Sequence, residues 1–319
     1  MDVSPFVKFR ERLIESASKT IVGKKDAISS VAYGLLSGGH VLFEDNPGLG
    51  KTTLSKAVAK AIGCEFKRIQ FTADLLPADV TGTFVMDGSG EFRFLKGPIF
   101  GQVLLADEIN RSPPKTQSAL LEAMQEHQVT AENQTFPLPR PFIVVGTQNP
   151  IEYEGTYPLP EAQMDRFSLR IRMGYPKYDE EVTILGLRKT PDDEIRDVVR
   201  VSEPSEVLAL QAKLEELHVE DDIKKYMVEI ASQTRSTLGV EAGVSPRGII
   251  HLYRLCKARA ACSGRDFVTP DDVKALAVPA LAHRLVLSTD FELRGLNQEA
   301  IVSEILQKTP VPKVTGSEG

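Results

Sequence analysis

The 319-residue chain contains no tryptophan, and aromatic residues make up only 7% of it. Base-stacking platforms need exposed aromatics, so the composition disfavours a single-strand nucleic-acid binder. Cysteine is scarce. Cys64, Cys256 and Cys262 form no Cys-x-x-Cys pair, and an odd count builds no disulfide framework. Positive charge is in the minority: 38 Lys and Arg face 44 Asp and Glu, a net charge of −6, which argues against general nucleic-acid binding. No apolar stretch approaches the roughly 18 residues that a membrane-spanning helix needs. Met1-Asp2-Val3-Ser4-Pro5 is not a basic stretch leading into an apolar one, so no signal peptide is expected. The expectation is a reduced, cytoplasmic chain without membrane insertion. Gly and Pro, 23 and 20 residues, are too few for a collagenous or low-complexity protein.

What is present has two textures. Up to about Pro176, short apolar runs alternate with helical stretches. The runs are His40–Glu44, Phe66–Phe71, Gln102–Ala106, Phe142–Thr147 and Phe167–Met173. Each is too short for a helix and lacks strict alternation, which suits parallel strands covered on both faces. From Lys177 onward helical periodicity takes over, as in Ile223, Tyr226, Met227, Ile230 and Ala231. The expected organisation is an α/β domain over 1–176, a smaller helical domain over 177–308 and a frayed tail over 309–319. Two hairpins are expected inside the first domain, at about 80–96 and 128–138. Thr83–Met86 and Glu91–Phe94 flank the turn Asp87–Gly90, and Val129–Ala131 and Gln134–Phe136 flank Glu132-Asn133.

The strongest motif is Asp45-Asn46-Pro47-Gly48-Leu49-Gly50-Lys51-Thr52, between a strand-like run and a helix. Gly48 and Gly50 let backbone N–H groups turn inward around phosphate oxygens, and the helix N-terminus adds its positive end. Lys51 would reach the β- and γ-phosphates, and Thr52 would hold Mg²⁺. The usual loop begins with Gly where this one has Asp45. Further on, the apolar run Val103–Ala106 ends in Asp107-Glu108. Beside a phosphate loop, Asp107 reads as a Mg²⁺ ligand and Glu108 as the base for the attacking water. The Glu sets the chain apart from GTPase-type loops, and no Asn-Lys-x-Asp guanine motif occurs, so ATP is the expected nucleotide. Ser112-Pro113 is expected to open the next helix as N-cap and first position. Gly146–Pro150 ends another strand and brings Asn149 beside Glu108, and Gln70 is placed to restrain Glu108 by a hydrogen bond. Arg111 reads either as an interface residue or as an ordinary ion pair.

Two arginines stand apart. Arg166 precedes the last strand. Arg247 follows the N-cap Ser245 and Pro246, so a cation sits in a first helical turn, against the dipole. An anionic ligand between the domains would offset that cost.

Taken together, these segments resemble the MoxR-type AAA+ ATPases over almost the whole chain. Ile21-Val22-Gly23 looks like the adenine-side segment, Asp45–Thr52 like the first phosphate motif and Leu105–Arg111 like the Mg²⁺ and catalytic motif. Gly146–Pro150 looks like sensor 1, Gly155–Phe167 like the segment most specific to the family, and Ser245-Pro246-Arg247 like sensor 2. The resemblance implies a P-loop αβα sandwich on a parallel five-stranded core sheet, an all-helical lid, and a homo-oligomeric ring, usually a hexamer. It implies that Val22, Gly23, Asn46, Pro47, Gly48, Leu49, Gly50, Lys51, Thr52, Thr53 and Arg247 bind ATP. It also implies that Thr52 and Asp107 bind Mg²⁺, and that Glu108, Lys51, Asn149, Arg166 and Arg247 serve catalysis. Arg166 would be the finger offered to the neighbour's ATP. Chaperone-like work on client proteins, insertion of their metal or cofactor, and partners with a von Willebrand factor A domain are family expectations. Three rivals remain: a magnesium-chelatase-type motor subunit, a nucleotide-dependent binding module with incidental hydrolysis, and a nucleic-acid motor. His40, His127, His218, His251 and His283 show no zinc spacing, and Cys256 and Cys262 read as core filling.

Overall fold

The computed structural model describes residues 1–149, 157, 159–187 and 195–312. Helices α1 (Ser4–Ala17) and α2 (Lys25–Leu36) lead in. Strand β1 (Val41–Glu44) runs into the glycine loop and α3 (Lys51–Ala61). β2 (Phe66–Gln70) and the short α4 (Pro77–Thr81) precede a hairpin of β3 (Gly82–Met86) and β4 (Phe92–Lys96). β5 (Val103–Asp107) and α5 (Pro114–Glu126) are followed by a second hairpin, β6 (Gln128–Ala131) and β7 (Gln134–Pro137). Then come β8 (Ile143–Gln148), α6 (Glu161–Met164) and β9 (Leu169–Ile171).

Five strands form one parallel sheet in the order β2-β5-β8-β1-β9. The register sets Gln70 beside Asp107, Ala106 beside Gly146 and Glu44 beside Gln148. The carboxyl ends of neighbouring strands are therefore level, and the loops that leave them converge on one edge. Along β1, Val41 and Phe43 enter one core layer and Leu42 the other, as the period of two requires. β2 departs from the expectation of strands covered on both faces. It lies at the sheet edge, and Lys67, Arg68 and Gln70 are exposed. Close packing fixes Gly146 in β8: a Cβ there would lie 2.6 Å from Ile109 Cδ1 and 3.0 Å from the Phe167 ring.

Helices follow: α7 (Tyr178–Leu187), α8 (Pro204–Leu214) and α9 (Asp221–Ser236). After β10 (Val240–Ala242) come α10 (Pro246–Cys262) and α11 (Pro270–Leu281). β11 (Val286–Leu287), α12 (Thr289–Leu293) and α13 (Gln298–Lys308) complete the described chain. β10 and β11 pair antiparallel, so this helical region also holds a two-stranded ribbon, too short to register as periodicity. Phe6, Phe9 and Leu13 of α1 share one core with Phe43, Leu105 and Val145 of the sheet and with Leu252 and Leu255 of α10. The N-terminal helix thus cements the sheet to the helical region. Among the described residues no helix is long and apolar enough to cross a membrane.

Two local expectations need correction. Ser112 is not the N-cap of α5. Pro113 holds that position with ψ 150°, because the residue before Pro114 is driven out of helical geometry, and Ser112 Oγ turns back to Ile109 O at 3.3 Å. The chain is also not frayed from Thr309. That residue is 3% exposed, and its hydroxyl bonds Ile305 O and Gln233 Oε1, at 2.7 and 3.3 Å. Residues 313–319 of the expected tail lie outside the described residues.

The hairpins lean on each other. Phe84 faces Phe94 across β3 and β4, and Phe94 stacks on Phe136 of β7 with ring centroids 4.1 Å apart. Phe92 and Met86, paired near the tip, remain exposed.

Candidate phosphate-binding site

β1 delivers the chain to the carboxyl edge of the sheet, where residues 45–50 turn into α3. Gly48 and Gly50 have φ of +82° and +89°, and Gly50 caps α3 in left-handed geometry that side-chain-bearing residues rarely adopt. Lys51 is buried. Its Nζ donates to the carbonyls of Asp45 and Asn46, at 2.6 and 3.2 Å. Burial lowers the Lys51 pKa, against the opposing pull of Asp45, Asp107 and Glu108.

Pro47, Gly48, Gly50, Lys51, Thr52 and Thr53 form one wall of a cleft of about 360 Å³. Asp107 and Glu108 from β5, Thr147 and Asn149 from the end of β8, and Arg68 and Gln70 from β2 form the other. The acidic wall is tightly ordered. Thr147 Oγ1 donates to Asp107 Oδ1 at 2.6 Å and accepts the Glu108 N–H at 2.8 Å. Arg68 Nη2 lies 2.7 Å from Asp107 Oδ2 and 2.9 Å from Gln70 Oε1. Gln70 Nε2 donates to Glu108 Oε2 at 2.6 Å, the restraint expected from its place at the end of β2. Arg111 Nε reaches the same Glu108 oxygen at 3.1 Å, an ion pair. Glu108 has φ +56° and ψ +52°, left-handed without being glycine, a strained geometry of the kind that clusters at active sites.

Arg68 and Thr147 were not anticipated. Each lies two residues from a singled-out position, Gln70 and Asn149. In β2 that spacing puts Arg68 on the face of Gln70 and supplied the missing signal. The donor set fits Mg²⁺: a hydroxyl and a carboxylate share one cleft, and a guanidinium already pairs with the carboxylate face there.

The remaining expected residues lie outside the lining of this cleft. Ile21 packs near Gly50, and the Glu180 carboxylate fills the space beside Gly23, next to Val22. Asn46 Nδ2 donates to Tyr175 Oη at 3.1 Å. Leu49, Arg166 and Arg247 also lie outside the lining. Arg247 was expected to read the nucleotide from the helical region, and here it stands outside the cleft lining. Asp165 explains it. Its carboxylate accepts from Ser245 Oγ at 3.0 Å and pairs with buried Arg284, which pins the start of α10 beside residues 165–167. Arg247 Nη2 accordingly bonds Gln125 Oε1 of α5 at 3.2 Å. Burial and the neighbouring Arg247 cation lower the Arg166 pKa, and Arg166 Nε has no partner among the described residues. Two arginines therefore stand together, outside the cleft. Pro150, Gly155, Thr156 and Pro158 of the expected motifs lie outside the described residues.

Comparison with known proteins agrees with this architecture. Residues 40–169 match the ATPase family associated with various cellular activities (AAA), and residues 232–305 match the AAA lid domain. The chain is 48% identical to the uncharacterized protein YeaC of Bacillus subtilis, over 94% of each chain. It is 40% identical to Chaperone MoxR1 of Mycobacterium tuberculosis, over 95% of this chain and 82% of that one. A crystal structure of a presumed ATPase from Cytophaga hutchinsonii superposes with a TM-score of 0.89 at 38% identity, covering 97% of both chains. The chain belongs to the MoxR-type AAA+ ATPases.

Proposed function

We propose that the protein hydrolyses ATP with Mg²⁺ at the subunit interfaces of a homo-oligomeric ring and uses the cycle as a chaperone-like remodelling motor. One observation carries this reading. The phosphate loop and the Asp107-Glu108 pair face each other across one cleft, while Arg166 and Arg247 stand together outside it.

The loop amides and Lys51 hold the phosphates, and Thr52 and Asp107 hold Mg²⁺. A Mg²⁺ held by these two residues would offset the charge of the phosphates. Glu108, once released by Gln70, takes a proton from the water that attacks the γ-phosphorus. Asn149 orients that water, the bond to the bridging oxygen of ADP breaks, and phosphate leaves. Arg166 and Arg247 complete the site of the adjacent subunit by stabilising the charge that develops on the transferred group. Val22, Gly23 and Asn46 border the nucleotide on its outer side. The domain division at about residue 176 separates the nucleotide-binding part from the lid. A hexameric ring, client maturation by metal or cofactor insertion, partners with a von Willebrand factor A domain and a cytoplasmic location follow from the resemblance. The name Chaperone MoxR1, borne by a 40% identical relative, supports the chaperone-like reading.

Mixing two inactive variants tests this. A Glu108→Gln subunit keeps its arginines, and an Arg166→Ala or Arg247→Ala subunit keeps its base. Each mixture should regain turnover that neither parent has. An Arg247→Ala mixture that stays inactive, beside a restored Arg166→Ala mixture, would return Arg247 to the chain's own site. Two inactive mixtures would defeat the shared-site reading.

A further inference from the structure

The catalytic scheme leaves the carboxylate of Asp45 without a task, although glycine is the usual residue at that place. The structure ties it to a second region. After β9 the chain passes Arg172, Met173, Gly174 and Tyr175 on its way to α7. This connector leads from the sheet to the helical region. The Asp45 carboxylate accepts the N–H of Met173 through one oxygen and that of Gly174 through the other, the latter at 3.4 Å. Lys24 Nζ in turn donates to the carbonyls of Met173, Gly174 and Tyr175 at 2.8, 3.0 and 3.1 Å. Asn46, the next loop residue, holds the Tyr175 hydroxyl. Gly174 sits at φ +63°, so a change there meets little steric resistance from a side chain.

The chemistry of the two clamps is complementary. A carboxylate has two acceptors and meets two consecutive amides, whereas an ammonium has three donors and meets three consecutive carbonyls. Both are charge-assisted hydrogen bonds, stronger than those between neutral groups. Both also start at the edges of the nucleotide site. Lys24 directly follows Gly23 in the adenine-side segment, and Asp45 opens the phosphate loop, where its own carbonyl accepts from Lys51 Nζ at 2.6 Å. When Lys51 shifts from that carbonyl to a phosphate, the change is one covalent unit away from the carboxylate that holds the connector.

We propose that Asp45 is a positioning residue that couples the phosphate loop to the connector, so that nucleotide at the loop sets the order of Met173–Tyr175 and the pose of the helical region. This rests on the nucleotide-binding reading above and adds to it the path by which binding is transmitted. Glycine at position 45 suits a phosphate loop but cannot hold the connector.

Hydrogen exchange at the Met173 and Gly174 amides tests the coupling, with and without a non-hydrolysable ATP analogue, in the unmodified protein and in Asp45→Gly, Asp45→Asn and Lys24→Met. In the unmodified protein both amides should be protected, and protection should change with nucleotide. In Asp45→Gly they should exchange at least about tenfold faster, the effect of losing hydrogen bonds to a charged acceptor. They should also stop responding, although the loop still takes up nucleotide. Asp45→Asn, with one acceptor oxygen left, should fall between. Lys24→Met loosens the connector without touching the loop and keeps the test readable if Asp45→Gly does not fold. Protection in Asp45→Gly equal to that of the unmodified protein would overturn the coupling alone. So would an unresponsive connector in an unmodified protein that binds nucleotide. No nucleotide uptake by the unmodified protein would overturn the ATPase reading together with the coupling.

Discussion

At the scale of single residues, Glu108 is the proposed base and is held by several constraints at once. Its left-handed backbone, its bond from Gln70 and its ion pair with Arg111 hold the carboxylate beside the phosphate loop. Glu108→Gln should bind nucleotide as before and lose turnover by about 10²–10⁴-fold, the usual worth of a general base. Loss of binding in the folded variant, measured by equilibrium titration, would assign Glu108 another role. Thr147 supports both carboxylate residues at once, through Asp107 Oδ1 and the Glu108 amide. Thr147→Val leaves a partly buried acceptor and a partly buried donor without the hydroxyl and should cost about 1 kcal/mol in chemical denaturation. An unchanged midpoint would show that water replaces the hydroxyl. That Lys51, Thr52, Asp107, Glu108 and Asn149 would line one cleft was legible because their motifs are local and flanked by strand and helix. Arg68 was hidden because its meaning depends on which face of an edge strand it occupies. The contact of Arg247 with Gln125 was hidden because a position in the first turn of a helix does not say which way that helix faces.

The buried strands were legible as elements because they are nearly unbroken apolar runs, whereas the edge strand β2 carries exposed Lys67, Arg68 and Gln70. All five runs became strands of one sheet, though Phe167–Met173 shortened to Leu169–Ile171. The turns Asp87–Gly90 and Glu132-Asn133 marked both hairpins. Their mutual packing was not legible, because the Phe94–Phe136 stack joins residues 42 positions apart. Sequence separation also hid the β10–β11 ribbon, whose strands are two or three residues long. Phe136→Ala should therefore cost about 1 kcal/mol from lost stacking, besides lost burial. Phe92→Ala, at the exposed tip, should stay within about 0.5 kcal/mol. Equal denaturation midpoints for the two variants would mean that the hairpins do not brace each other.

Three imidazoles, His40 and His283 buried and His251 partly buried, set a property of the whole molecule. His40 donates from Nε2 to Met124 O and accepts the Val144 N–H at Nδ1, a neutral ring between α5 and β8. Burial lowers its pKa to about 4. His251 falls to about 3 through burial and the Arg284 guanidinium at its Nδ1, and burial holds His283 well below the usual range. Each folded-state pKa lies below the unfolded one, so the unfolded chain takes up protons first as the medium is acidified. Stability should be complete above about pH 6.5 and decline from there toward pH 4, with His40 alone accounting for about 3 kcal/mol. Urea midpoints at pH 7.5 and pH 5 check this, and equal midpoints would contradict it. At the same scale stands the central claim, that a neighbouring subunit completes each site. An arginine finger is worth about 10³–10⁵ in rate, so a lone subunit should be almost inert. The direct measurement is ATP turnover per subunit against protein concentration, with Mg²⁺ present. The account predicts a specific rate that climbs as subunits assemble and stays low throughout for Arg166→Ala. A substantial rate that holds constant down to monomeric concentrations would contradict it.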